Sequence, residues 1–307
     1  MREPPELAVV IILSLNKREQ TLQCLQRVRQ LAYSRYEVVL VDNGSTDGTA
    51  EAVAQAFPDV HVIRHAENRG VAGGRNAGIA YADRHLPYRY LFFLDNDALV
   101  EPVTLSELIT AAQADARIGL VTPKIYTVRS PRVIQCAGGH VVRLSTGTIR
   151  GIGAGEPDRG QHDEPRQVAS ACGVVLVKRD VLQAIGAYDE RFNPYGWEDV
   201  DLSLRARKAG WTIRYAPQAV VHHHGGKKSR GRGLDAYEQS KIKNFFLLMA
   251  RHATPLQWLC LACVLPCKAS ARIVRALYRG NVRVVFAWVR GLGQLIGRHP
   301  GAVRVHR

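Results

Sequence analysis

Apolar residues run unbroken from Leu7 to Leu15, and the following stretch, Lys17 to Leu31, carries them at helical spacing on Leu22, Leu25, Val28 and Leu31. An unbroken run marks a strand covered on both faces, whereas recurrence every three or four residues marks a helix with one buried stripe. The alternation repeats. Tyr36–Val41, Val60–Ile63 and Tyr90–Leu94 read as strands, and Asp47–Phe57 and Gly74–Tyr81 as helices between them. Strand-helix alternation predicts an α/β domain with a parallel central sheet and helices on both faces. From Ile118 to Ile152 the pattern changes to short β segments broken by Pro123, Pro131, Gly138-Gly139 and Gly147. Gly153–Arg166 is polar and rich in Gly and Pro, and predicts a mobile loop near the site. Strand character returns at Val174–Val177, helical character at Val200–Ala209.

Charge divides the chain. Residues 1–226 hold 26 Lys and Arg against 25 Asp and Glu, whereas residues 227–307 hold 16 against 2. This predicts two regions with different surroundings: a nearly neutral domain over 1–226 and a basic helical C-terminal region over 227–307. In the latter, Leu256–Leu265 is too short an apolar run to span a bilayer, which takes about 20 residues. Ile273–Ile296 mixes Val, Phe, Trp and Leu with Arg275, Arg279, Arg283 and Arg290. Basic amphipathic helices of this kind suit an anionic membrane surface, the alternative being a solvated face packed on the catalytic domain. No RNA- or DNA-binding motif accompanies the charge, so nucleic acid is not expected as a partner. The acids and prolines of Met1–Glu6 are unlike a signal peptide, and six scattered cysteines are unlike a disulfide scaffold. Both features point to a cytoplasmic setting with reduced thiols.

Chemistry concentrates behind the strand-like run Tyr90–Leu94, where Asp95-Asn96-Asp97 places two carboxylates one residue apart at the carboxyl end of a buried strand. Open α/β sheets bind ligands at that edge. Such a pair can share one hard divalent cation, Mg²⁺ or Mn²⁺, of the kind that neutralises a diphosphate leaving group; it can equally close a strand as an Asx-rich turn. Asp42-Asn43-Gly44-Ser45-Thr46-Asp47 ends a second strand. Asp42 can accept the imide N–H of uracil or thymine, and Thr46 or Asp47 can cap the next helix. In Asn68-Arg69-Gly70-Val71-Ala72-Gly73-Gly74-Arg75-Asn76-Ala77-Gly78 the glycines permit close backbone approach to phosphate. Arg69 or Arg75 can add charge-assisted contacts to a diphosphate. Glu198, Asp199 and Asp201 follow Trp197 at a helix start, and Val220-Val221-His222-His223-His224 ends a further short strand.

Together these ordered segments, from Val9 to Gly226, resemble the family 2 glycosyltransferases of the GT-A fold, and within them the rhamnosyltransferase-like branch. The resemblance implies that Asn16, Asp42, Asn43, Gly44, Asn68, Gly74, Arg75, Asp95 and Asn96 bind the nucleotide sugar. It implies Asp97, Asp95 and His222 as metal ligands, His222 ahead of His224, and Asp199 as the base, with Glu198 the second choice. Trp197 then forms a wall of the acceptor pocket. One departure is Ser14-Leu15-Asn16, where many relatives carry Thr-Tyr-Asn, so the base must be held without a stacking aromatic. The implied activity is inverting transfer of a sugar, such as a deoxyhexose, from a dTDP- or UDP-sugar to a lipid-linked or polysaccharide acceptor in cell-surface glycan synthesis. A membrane-bound tail would then hold the enzyme at the cytoplasmic face. The alternative is a catalytically silent nucleotide-sugar-binding protein of the same fold.

Overall fold

The computed structural model describes residues 6–225 and 232–278. They divide into two compact units: Met1–Arg143, Thr148–Pro194 and Glu198–Gly225 in the first, and Leu144–Gly147, Tyr195–Trp197 and Gly226–Arg307 in the second.

In the first unit the opening run forms β1 (Ala8–Ser14), followed by α1 (Arg18–Val28), β2 (Tyr36–Asp42), α2 (Thr49–Ala56), β3 (His61–Arg64), α3 (Gly70–His85) and β4 (Tyr90–Asp95). β1 lies parallel between β2 and β4, with Ser14 beside Asp42 and Leu13 beside Asp95. The carboxylate of each neighbouring strand therefore emerges at the same edge. Strand order runs β4-β1-β2-β3, so the chain reverses its direction of sheet growth at β1, where α/β folds open a crevice for ligands. Val9 to Ile12, Leu91 to Leu94 and Val39 to Val41 are essentially inaccessible because both faces are covered. Each large apolar side chain so buried contributes roughly 1.5–3 kcal/mol.

Next come β5 (Ala98–Val100), α4 (Thr104–Gln113), β6 (Ile118–Thr127), β7 (Ser130–Ala137), β8 (His140–Arg143), β9 (Thr148–Gly151), β10 (Arg166–Gln167), β11 (Val175–Lys178), α5 (Arg179–Ile185), α6 (Glu198–Lys208) and β12 (Thr212–His223). β11 runs antiparallel between β4 and β6, β12 is parallel to β6, and the result is the mixed, mostly parallel, Rossmann-like sheet that the resemblance to the GT-A fold implies, not the wholly parallel one that alternation suggests.

Two local readings change. α3 starts at Gly70, ahead of the expected Gly74, because its glycines serve packing. A Cβ on Gly74 would sit 2.3 Å from Leu13 Cδ1 and one on Gly78 would sit 2.6 Å from Ile11 Cγ2, so small residues bring this helix against β1. The segment 153–166, expected to be mobile, is fastened to the sheet. Ile134 and Glu156 exchange a backbone bond of 2.9 Å, Tyr215 donates to the His162 carbonyl at 2.8 Å, and the buried Lys124 ammonium reaches Asp158 at 3.0 Å and also Asp163. Glycine and proline mark a loop locally; they carry no information about Lys124, which is distant in sequence.

The second unit contains α7 (Arg232–His252) and α8 (Pro255–Tyr278). Asn244 of α7 donates to the carbonyls of Tyr195 at 2.9 Å and Gly196 at 3.0 Å, and the Trp197 indole donates to Lys241 O at 3.1 Å. No helix among the described residues is long and apolar enough to cross a membrane. The basic stretch 226–231 and residues 279–307, which hold most of the expected arginine-rich helix, lie outside the described residues.

Candidate active site

The turn Asp95-Asn96-Asp97 joins β4 to β5, and β5 pairs antiparallel with the end of β12, Ala98 beside His223 and Leu99 beside His222. The pairing continues as His224 N–H donates to Asp97 O at 3.0 Å. Adjacent residues on a strand face opposite sides. His223 therefore turns toward the acids, with Nε2 at 2.8 Å from Asp97 and 4.0 Å from Asp95. His222 turns away, pairing with Glu101 at 3.2 Å and stacking on Tyr126. The structure thus places His223, and not the expected His222, beside the two carboxylates. What decides it is that β12 continues to His223 and is held there by β5, a strand of three residues that no periodicity reveals.

Asp95, Asp97 and His223 bring one ligand atom each within 4.8 Å of one another. Two carboxylates and an imidazole suit a borderline-hard divalent cation such as Mn²⁺ or Mg²⁺. Burial alone would raise the Asp97 pKa, yet hydrogen bonds and charge from His223 and Lys17 hold it well below the carboxylate range. The His223 imidazolium, conversely, is opposed by burial and favoured overall by Asp97. Lys17 Nζ lies 2.6 Å from Asp97 Oδ2, and the Gln135 amide lies 2.9 Å from His223 Nδ1, fixing the ring as an outer partner does. Sequence reading misses both, although a lysine directly after a strand-end Asn16 is itself a signal.

Arg75 joins this group to the second acidic motif. Its guanidinium donates to Asp95 Oδ1 at 3.0 Å and to Gly173 O at 3.0 Å, and lies over the Tyr188 ring at 5.4 Å. Burial disfavours its charge, but Tyr188, Asp95, Glu198 and Asp199 together hold its pKa above the ordinary arginine value. Arg75 is only 2% exposed; its Nη2 makes the bonds to both Asp95 and Gly173, and its Nη1 is buried without a hydrogen-bond partner among the described residues. Asn76 fastens the segment that leads to α6, donating to Tyr188 O at 2.9 Å and accepting from Tyr188 N–H at 3.0 Å. α3 thus ties the strand-end acids to the start of α6. There Glu198 is buried, whereas Asp199 is half-buried, with Oδ1 accepting the Val200 N–H at 2.8 Å. Asp201 is fully buried and pairs with Arg205 at 2.8 Å, which makes it part of the core.

The remaining expected residues separate into two groups. Asn16 and Asp42 stand together at the ends of β1 and β2. Asn16 Oδ1 accepts Thr46 N–H at 2.8 Å, and Asp42 Oδ1 accepts Ser45 N–H at 2.9 Å. Asn43, Asn68 and Asn96 are consumed internally. Asn43 donates to Asn68 Oδ1 at 2.9 Å and Gly70 O at 3.0 Å, and Asn96 donates to Thr21 at 2.9 Å and Ser14 at 3.1 Å. Their amides shape the loops that carry the site, and Gly74 lies under α3 as described. Gly44 is held at φ +88°, and a Cβ there would meet backbone atoms of Glu67 at 2.8 Å. Gly44→Ala is therefore expected to destabilise by about 1–3 kcal/mol, read as a lower urea midpoint at constant slope. Trp197 belongs to the second unit, with the Lys241 ammonium 4.7 Å from its ring centroid.

An open α/β sheet with acids at its switch point and a further acidic helix start is an arrangement that binds a ligand at the strand ends, and solved structures identify the fold as GT-A. Two solved structures share that fold. GalNAc-T7 with UDP, GalNAc and Mn²⁺ superposes with TM-score 0.62 at 18% identity over 81% of this chain, which spans 48% of that chain's length. The mannosyltransferase PcManGT of Pyrobaculum calidifontis, in complex with GDP-Man and Mn²⁺, gives 0.57 at 20% identity over 93% of this chain and 86% of that one. Residues 9–135 match the family described as Glycosyl transferase family 2. An N-acetylglucosaminyl-diphospho-decaprenol L-rhamnosyltransferase of Mycobacterium tuberculosis is 31% identical over 247 residues, covering 72% of this chain and 78% of the relative. The O-antigen biosynthesis protein RfbC of Myxococcus xanthus is 29% identical over 76% of this chain and 18% of its own length. The chain belongs to glycosyl transferase family 2, in its rhamnosyltransferase-like branch.

Proposed function

We propose that this protein is an inverting, metal-dependent glycosyltransferase that moves a deoxyhexose, rhamnose foremost, from a dTDP- or UDP-sugar to a hydroxyl of a lipid-linked glycan. The observation that carries the reading is the Arg75 bridge, which binds Asp95 directly and feels Glu198 and Asp199 as neighbouring charges. The mycobacterial relative, a rhamnosyltransferase named for a lipid-diphosphate acceptor, supports rhamnose and an acceptor of that kind.

Asp42 receives the imide N–H of the base, and Asn16 keeps the Thr46 turn closed beneath it. Asp95, Asp97 and His223 would hold Mg²⁺ or Mn²⁺, which would supply positive charge for the departing diphosphate. Lys17 and the exposed Arg69 add positive charge to the same edge. Asp199 takes the proton of the acceptor hydroxyl as its oxygen attacks the anomeric carbon opposite the diphosphate, so the configuration inverts. Residues 1–226 form the catalytic part, and residues 227–307 associate with an anionic membrane at the cytoplasmic face.

A thermal-shift screen of nucleotide sugars with Mn²⁺, followed by transfer to a lipid-diphosphate acceptor, tests the reading. A matching donor at 100 times its dissociation constant stabilises by about 2.7 kcal/mol. No response to any donor overturns the proposal; stabilisation without transfer favours a silent sugar-nucleotide binder.

A further inference from the structure

Along α8, Leu256, Leu259, Cys263, Cys267, Ser270 and Val274 recur at intervals of three and four residues and all are exposed, Leu256 by 68%, Leu259 by 63% and Val274 by 65%. Such spacing places them on one face, a stripe roughly 27 Å long at 1.5 Å per residue. A single hydroxyl interrupts it. The opposite face makes contacts within the same unit: Leu261 is buried, Trp258, 37% exposed, stacks on Phe246 with ring centroids 6.3 Å apart, and Lys268 donates to Thr146 O at 2.6 Å. A helix with one face packed and the other apolar and open is not explained by folding alone, since soluble surfaces seldom leave contiguous apolar area exposed.

Charge identifies the occupant. After Glu238 the chain holds twelve Lys and Arg and no Asp or Glu. An apolar stripe in an acid-free, cationic region complements an anionic lipid interface, in which a helix lies in the plane with its apolar side among the acyl chains. We infer that the Leu256–Val274 face of α8 is a membrane-insertion surface for anionic phospholipid, which deepens the lipid-linked reading above by naming the face that meets the bilayer.

The test uses the full chain and vesicles of phosphatidylglycerol and phosphatidylcholine in equal parts, against phosphatidylcholine alone. Leu256→Glu with Leu259→Glu is expected to reduce partition into the anionic vesicles by roughly tenfold or more. In a background with Cys260→Ser and Cys267→Ser, an environment-sensitive fluorophore on Cys263 is expected to shift to the blue on the anionic vesicles only. Wild-type partition by the double variant, or a Cys263 probe indifferent to lipid, overturns the inference. So does a wild-type dimer in sedimentation that the two substitutions disperse, since the face then belongs to a second copy. Vesicle binding needs neither donor nor acceptor, so it fails or succeeds independently of sugar transfer.

Discussion

Asp199→Asn is expected to lower the rate of transfer by about 100- to 10,000-fold, the range that a positioned general base contributes. Asparagine keeps the shape of the side chain, and its Oδ1 can still accept the Val200 N–H that aspartate accepts at 2.8 Å. What it removes is the capacity to take a proton. Because Asp199 touches none of Asp95, Asp97 or His223 directly, stabilisation by donor and Mn²⁺ is expected to persist in the variant. Glu198→Gln is the control, since Glu198 is buried and its change perturbs folding before chemistry. Loss of transfer with donor binding intact is the signature sought. Wild-type turnover by Asp199→Asn, or equal loss of donor binding and turnover, removes Asp199 from the role of base.

The acids were legible because a strand end is a local event. Tyr90–Leu94 announces a buried strand, Asp95 and Asp97 follow it, and the parallel pairing of β1 with β2 and β4 brings Asp42 to the same edge. The role of Arg75 was not legible, because its spacing among glycines suits phosphate approach as well as helix packing. In the structure its Nη2 bonds to Asp95 and Gly173 while Nη1 is buried without a hydrogen-bond partner among the described residues, an arrangement that local spacing does not encode. Asn43 and Asn96 mislead in the same way: an amide beside a binding acid can reach a ligand or hold the loop, and here both hold loops. β5 and α4 were missed where no strong period marks them, and with β5 went the partner that sets the facing of His222 and His223.

Those adjacent histidines permit the sharpest test of the cation site. His223→Ala is expected to weaken Mn²⁺ binding by roughly 100-fold or more, because even an outer-shell partner is worth about 10- to 100-fold in metal affinity. His222→Ala removes the contact with Glu101 and the stack on Tyr126, both on the other face of β12, and is expected to leave Mn²⁺ affinity within about threefold, since His222 faces away from Asp95 and Asp97. Gln135→Ala is expected to fall between them, at about tenfold, because it frees His223 Nδ1 without removing the ligand atom. Titration of each purified variant with Mn²⁺, followed by the relaxation of water protons, measures the three values without any turnover. The order His223, Gln135, His222 follows from the pairing of Ala98 with His223 across β5 and β12. Reversal of the first and last would mean that the end of β12 presents the opposite face to Asp97, and the cation would then sit between His222 and Glu101.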